Sequence, residues 1–437
     1  MEAVMEKINI EKYPFYKDSG AEWLGEIPKH WDSVRMKHLF RDVSIKNRPA
    51  AELLSVTQDQ GVVPRSWVEN RMVMPSGALE SFKFIHKGDF AISLRSFEGG
   101  LEYCHHDGII SPAYTVLKAQ SNFENQFYKY LFKSYSFISE LQTSVVGIRQ
   151  GKNISYQELS YSFIPIPPRK EQTVIAQFLD RKTALIDQAI GIKEKQIELL
   201  KERRQILVQR AVTRGINPNV KLKDSGVEWI GEIPEGWEVK KLGYLALVGN
   251  GSTPNRSNSG YWQNGIIPWL NSSKVNDETI TSAEQFVTPK ALKECHLPML
   301  TPGTIVIAIT GEGKTRGMSA LCEISATINQ HLAYIKVESL KIDPIFLLRY
   351  LQAMYANIRA ESSGLGSTKG AITCESIKKY IIPLPHILEQ LLITEYIENI
   401  KTKVAAAITL KEKEIDKLQE YKASLINSAV TGKIKVS

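Results

Sequence analysis

A chain of 437 residues is longer than one hydrophobic core usually serves, so more than one domain is expected. It is 43% hydrophobic and 23% charged, an ordinary globular composition, and its net charge of +8 favours an anionic partner such as nucleic acid. No apolar run approaches the ~20 residues of a membrane span, and Met1–Lys12 carries no apolar leader. Cys104, Cys295, Cys322 and Cys374 are scattered beyond metal-ligand spacing and read as free thiols in a reducing cytoplasm.

The chain repeats itself. A first segment, residues 1–30, carries Asp18-Ser19-Gly20-Ala21-Glu22-Trp23-Leu24-Gly25-Glu26-Ile27-Pro28, followed by Trp31. Residues 31–164 follow as a first variable domain. Phe90–Leu94 and Tyr114–Leu117 read as strands bounded by Gly and Pro, and Asn125–Leu141 as a helix from its apolar spacing. Residues 165–217 open, just after Ile164, with Pro165-Ile166-Pro167-Pro168 and Glu171-Gln172, then become a long charged helix over about Glu171–Thr213, stopped by Gly215 and Pro218. Straight, it would span about 65 Å.

At 218–236 the first segment returns as Asp224-Ser225-Gly226-Val227-Glu228-Trp229-Ile230-Gly231-Glu232-Ile233-Pro234 with Trp237, an offset of 206 (224 − 18). A second variable domain, 237–382, holds a β-branched strand at Thr304–Ile309 and a helix over Pro344–Ile358 with Pro in its first turn. Residues 383–437 repeat the helical module. Ile382-Pro383-Leu384-Pro385 and Glu389-Gln390 lead into a helix to about Thr431, an offset of 218 (389 − 171). One proline stands where the first copy has two, so a shifted helix start is expected there.

A 4-then-3 spacing marks matching seams. Leu179, Thr183, Ile186, Ile190, Lys193, Ile197, Leu200, Arg204, Leu207 and Ala211 are echoed by Ile397, Lys401, Val404, Ile408, Lys411, Ile415, Leu418, Lys422, Leu425 and Ala429. Sustained a/d spacing predicts a coiled coil. Basic residues at Lys193/Lys411 and Arg204/Lys422 either fix register or snorkel out of an imperfect seam. The second domain begins soon after the first helix ends, so paired helices must run antiparallel. The expectation is a dumbbell with a pseudo-twofold axis.

Chemistry-bearing motifs are few. Ala308-Ile309-Thr310-Gly311-Glu312-Gly313-Lys314-Thr315 nearly fits a phosphate-binding loop, but Arg316–Cys322 reads as turn and strand rather than a helix facing phosphate. Cys104-His105-His106-Asp107 is dense in metal-ligand types, yet adjacent residues rarely converge on one ion. No dinucleotide fingerprint and no Asn/Asp-Pro-Pro-aromatic methyltransferase motif is present. No catalytic, cofactor or metal residue is therefore assigned.

Loops rich in Arg, Lys, Asn and Gln, the side chains that pair with base edges, are the candidates for DNA contact. In the first domain they are Arg65, Lys83, Arg95, Arg149, Gln150, Lys152 and Asn153. In the second they are Asn250, Thr253, Asn255, Arg256, Asn271, Lys274, Lys314, Arg316, Thr368 and Lys369. Val146–Asn153 and Ser363–Gly370 occupy corresponding places, each joining a variable domain to its helix. Trp67, Trp262 and Trp269 suit either core packing or contact with a DNA backbone.

The doubled frame, with Trp23-Leu24-Gly25-Glu26-Ile27-Pro28 and its echo, Leu54-Ser55-Val56-Thr57-Gln58, Ser252-Thr253-Pro254, Tyr261-Trp262 and Ile267-Pro268-Trp269, resembles the specificity subunit of type I restriction-modification systems. The resemblance covers nearly the whole chain. It implies an α+β architecture: two α/β target-recognition domains separated by two long antiparallel helices. It implies that each domain reads half of a split, asymmetric site in double-stranded DNA, and that the helices act as a ruler and as a dock for two modification subunits. Those subunits would use S-adenosylmethionine to methylate adenine, and two restriction subunits would add ATP- and magnesium-dependent translocation and cleavage. This chain would be no enzyme. A P-loop ATPase or nuclease and a coiled-coil adaptor are the alternatives. The first lacks its motifs, and the second gives no reason for two divergent domains.

Overall fold

The computed structural model describes residues 11–68, 79–120, 123–146, 153–311, 313–363 and 370–436. The chain forms two compact units, one from Met1–Glu194 with Lys411–Ser437, the other from Lys195–Leu410. Each long helix contributes to both units.

In the first unit, Asp18 Oδ1 accepts the Gly20 N–H at 2.9 Å, and the Ser19 N–H reaches the Gly25 carbonyl at 3.0 Å. Gly20 and Gly25 have φ of 79° and 61°, values that a side chain disfavours. The turn folds Tyr16–Asp18 onto Glu26–Pro28. In the second unit Asp224 and Gly226, and Ser225 and Gly231, repeat these bonds at the same distances. The repeated words therefore encode a repeated turn.

The inserts differ in sequence but share a sheet order. Unit one has Phe40–Val43, Thr115–Ala119, Phe90–Ile92 and Glu102–Tyr103 side by side, all antiparallel. Unit two has Ala246–Asn250, Leu332–Val337, Thr304–Ala308 and Ser319–Cys322 in the same order, with Thr279–Ile280 added in parallel. A second sheet, Gln285–Val287, Ile267–Leu270 and Thr327–Ile328, is found in unit two. Apolar residues on the buried faces suffice to hold this order, which is why the middles can diverge.

The expected helix Asn125–Leu141 is two helices, Asn125–Leu131 and Tyr135–Thr143. Ser134 separates them: its hydroxyl donates to the Leu131 carbonyl at 2.7 Å and accepts the Phe137 N–H, capping the second helix. Pro344–Ile358 likewise divides, into Pro344–Ala353 and Tyr355–Ser363, at Met354. The strand expected over Phe90–Leu94 ends at Ile92, because Ser93 turns the chain by accepting the Arg95 N–H.

The long helices run Arg169–Arg214 and Ile387–Val430. Their starts are 218 residues apart (387 − 169), so the expected shift of the second start is absent. His386 replaces Pro168 without loss, because its carbonyl accepts the Glu389 and Gln390 N–H groups at 2.8 and 3.1 Å, as Pro168 does from Glu171 and Gln172. The pairing is antiparallel within each unit. In unit one Lys193 meets Glu414 at 2.7 Å, and Asp187 meets Lys422 at 2.6 Å. In unit two Ala211 and Val212 share a core with Ile393 and Ile397.

The seam is buried at its ends, at Leu179, Ile186, Ala211, Ile397, Leu425 and Ala429, and also at Ile197. It is half-buried at Ile190, Leu200, Leu207, Val404, Ile408, Ile415 and Leu418, since two helices alone cannot enclose a side chain. Lys193 and Lys411 share the Glu414 carboxylate, at 2.7 and 3.0 Å. At that point a charge cluster stands in the seam in place of apolar residues.

The echoed Glu-Gln pair docks each domain on its helix. Gln172 is buried. Its amide donates to the Pro167 carbonyl at 2.8 Å and accepts the Glu124 N–H at 2.9 Å, at the cap of Asn125–Leu131. Gln390 donates to the Pro385 carbonyl and accepts the Asp343 N–H, both at 2.8 Å, at the cap of Pro344–Ala353. Glu171 takes the Tyr13 hydroxyl and His30 Nε2, whereas Glu389 takes Trp237 Nε1 at 3.0 Å.

Candidate nucleic-acid interface

In unit one a polar cleft of about 740 Å3 opens where the central strands end. Its walls carry Gln58, Gln60, Trp67, Arg95 and Tyr114. Arg95 is exposed, in the turn after Phe90–Ile92, and Trp67 is 59% exposed, so Trp67 is no core residue. Arg65 is half-buried in the turn Arg65–Trp67. Lys83 spends its ammonium on the Tyr114 carbonyl at 2.6 Å. Arg149, Gln150 and Lys152 lie outside the described residues, and Asn153 opens the strand Asn153–Ile154 paired with Val145–Val146.

Beneath this cleft sits a charged clamp. Lys133 Nζ donates to the carbonyls of Gln58 and Gly99, both at 2.9 Å, and to Glu102 Oε1 at 2.6 Å. The Glu102 side chain is fully buried, and burial pushes its carboxyl up to about 7 against the pull of Lys133. The clamp ties the Gln58 turn to the segment that follows Arg95, and Gln58 Nε2 adds a bond to the Arg95 carbonyl at 3.3 Å.

In unit two the corresponding rim is formed by the ends of Ala246–Asn250, Ile267–Leu270 and Thr304–Ala308 and the turn before Leu332–Val337. Asn250 is exposed at its strand end. Thr253 Oγ1 bonds Gln330 Oε1. Asn255 accepts from the Ser257 N–H at 3.0 Å, and Asn271 caps its turn by accepting the Ser273 N–H at 2.9 Å. The Arg256 guanidinium lies 3.8 Å over the Trp262 ring and 4.8 Å over Trp269, and donates to Gln285 at 2.8 Å. Trp269 is buried, so its role is packing.

Lys274 is paired with Asp277 and Glu284 at 3.2 and 3.4 Å. Lys314 is exposed. Arg316 departs from the expectation of a base-facing side chain. It is buried and donates to the Gly370 carbonyl at 2.8 Å, so its guanidinium is turned inward onto the backbone. Thr368 and Lys369 lie outside the described residues.

The phosphate-loop look-alike is followed by Ser319–Cys322, a strand antiparallel to Thr304–Ala308, so no helix N-terminus faces it. Among the described residues no group of three His, Cys, Asp or Glu is placed to hold a metal, and all four cysteines are free. No described helix is long and apolar enough to cross a membrane.

Sequence reasoning missed Gln60, Tyr114, Gln330 and His331. Each lies in a short break between two strands. Trp67 was singled out, but its exposure was not legible.

A family model described as the type I restriction modification DNA specificity domain matches residues 234–420. The MjaVIII specificity subunit of Methanocaldococcus jannaschii is 25% identical over 97% of each chain. Along nearly its whole length the chain is similar to type I restriction-modification specificity subunits. A second relative from the same organism, a putative type I restriction enzyme MjaX specificity subunit, is 30% identical over 65% of this chain and 62% of its own. The fold agrees as well. An HsdS subunit from Thermoanaerobacter tengcongensis superposes with a TM-score of 0.54 at 19% identity, covering 93% of this chain and 98% of that one. A chain solved in work on complex assembly and conformational transition of the type I system gives 0.68 at 18% identity, over 92% and 98%.

Proposed function

We propose that this chain is the non-catalytic DNA-reading subunit of a type I restriction-modification complex, each recognition domain reading one half of a bipartite, asymmetric site. The observation that carries the reading is the pair of topologically matched rims bearing different side chains: Trp67, Arg95 and Tyr114 in one unit, Thr253, Thr310, Gln330 and His331 in the other. Equal scaffolds with unequal polar edges suit two different half-sites. In this reading the helices set the length of the unread spacer, and the chain works in the cytoplasm.

Methylation and cleavage, with their S-adenosylmethionine, ATP and magnesium, belong to partner subunits. A stripe on the first long helix supports docking of the modification subunits. Leu185, Ile192, Leu199 and Ile206 recur every seven residues and are 44–56% exposed, a heptad row outside the seam.

The experiment is a domain exchange. Residues 237–382 are replaced by those of a relative, the complex is assembled with its modification subunit, and methylated adenines are mapped. One half of the site should change while the other half stays. Change in both halves would refute independent reading.

A further inference from the structure

We propose that Gln330 reads a base pair in the half-site of the second recognition domain, pairing bidentately to adenine, with His331 as the positioning residue that holds its amide. The inference deepens the DNA-reading role above and rests on it. Both residues are exposed and fill the turn between Thr327–Ile328 and Leu332–Val337. The turn cannot drift. Gly251 packs against the Ile328 carbonyl so closely that any Cβ would lie 1.9 Å from its oxygen, and the Asn329 N–H is held by the Leu270 carbonyl at 3.0 Å. The side chain of Asn329 is buried and accepts the His331 N–H at 3.0 Å. A polar edge on so rigid a base loses little entropy when it meets a ligand.

The hydrogen bonds set what this edge offers. Thr253 donates to Gln330 Oε1, Gln330 Nε2 meets His331 Nε2 at 3.3 Å, and His331 Nδ1 meets Thr310 Oγ1 at 2.7 Å. The Gln330 amide nitrogen only donates, so His331 Nε2 accepts and its proton sits on Nδ1, directed at Thr310. After these bonds Gln330 keeps one N–H and one carbonyl lone pair for solvent. A donor and an acceptor side by side match N7 and N6 of adenine in the major groove.

Topology supports the placement. Thr310 follows the strand Thr304–Ala308 as Arg95 follows Phe90–Ile92, and Gln330-His331 precede Leu332–Val337 as Tyr114 precedes Thr115–Ala119. The pair therefore sits on the edge whose counterpart in the other unit lines the Trp67 cleft.

The test is methylation of a randomised duplex library by the complex assembled with its modification subunit, using wild type, Q330A, H331A and Q330E. Q330A should lower the preference for adenine at one position of the second half-site by roughly five- to a hundredfold, the range for one bidentate contact. The first half-site, read in the same molecules, should be unchanged. Q330E should favour cytosine at that position, since a carboxylate accepts from cytosine N4. If Q330A proves inactive, Q330E alone decides. A wild-type motif from Q330E, or from Q330A and H331A together, overturns the assignment and leaves the DNA-reading role intact. A wild-type complex that yields no split adenine motif overturns both.

Discussion

Replacing Lys133 with Met should destabilise the first unit in a pH-dependent way. The ammonium has three donors and three acceptors, the Gln58 and Gly99 carbonyls and Glu102. Glu102 titrates at about 7 in the native protein, against an ordinary 4.5. Between those values the native state holds the proton more tightly than the unfolded chain does. Stability therefore falls as pH rises through the window, by about 1.4 kcal/mol per unit and about 3 kcal/mol in all.

At about pH 5 Glu102 is protonated, so Lys133→Met removes hydrogen bonds alone and should cost about 1–2 kcal/mol. At about pH 8 wild-type Glu102 is ionised against Lys133, an attraction the variant lacks, so the cost should rise by up to about 1.4 kcal/mol, the equivalent of the one pH unit above the native value of about 7. Urea unfolding at both pH values measures the difference, and hydrogen exchange over residues 57–60 and 99–104 localises it. Glu102→Gln should flatten the wild-type slope. Equal costs at the two pH values would show that Lys133 acts only through the two carbonyls and that the ion pair is irrelevant.

Three further outcomes follow from the helices. Gln390→Ala should cost about 2 kcal/mol, since it orphans buried backbone groups at the cap of Pro344–Ala353, and amide exchange at Asp343 should rise while the first unit is unaffected. Ile192→Asp with Leu199→Asp should leave circular dichroism unchanged but abolish co-purification with the modification subunit, because the heptad stripe is exposed in this chain alone. Inserting four residues between Glu194 and Lys195, and four between Glu412 and Lys413, adds about 6 Å of helix. At about 3.4 Å per base pair the unread spacer should lengthen by one or two base pairs with both half-sites intact, as read from the methylation map.

The frame was legible because its words encode local structure. Asp18-Ser19-Gly20 is a turn wherever it stands, Pro167-Pro168 bars a helix from extending backwards, and a 4-then-3 spacing is a seam. The helix break at Ser134 was hidden because the flanking apolar spacing continues across it, and only the hydroxyl's choice of partner ends the turn. Arg316 was misleading for a similar reason. A basic residue in a Gly-rich loop reads as exposed, and its burial depends on the distant Gly370 carbonyl. Gln330 and His331 were passed over because a dipeptide between two strands carries no period, and its neighbours Thr253 and Thr310 are remote in sequence. The meaning of Glu171-Gln172 and Glu389-Gln390 lay equally out of reach, since each glutamine answers a helix cap some 47 residues away.

The two units differ in how the ribosome delivers them. Lys195–Leu410 is one uninterrupted stretch, whereas the other unit draws on residues from both ends of the chain. Leu425, Ala429, Val430, Ile434 and Val436 belong to the same core as Trp31 and Phe127, Lys433 Nζ holds the Glu26 carbonyl at 2.6 Å, and Glu11 bridges to Lys435. The domain translated first therefore cannot close its core until residues 425–436 have been made, while the domain translated second can already have folded. During that interval the nascent chain exposes an open apolar surface, the kind chaperones hold. A message cut short near residue 410 would yield one finished reader attached to one unfinished reader.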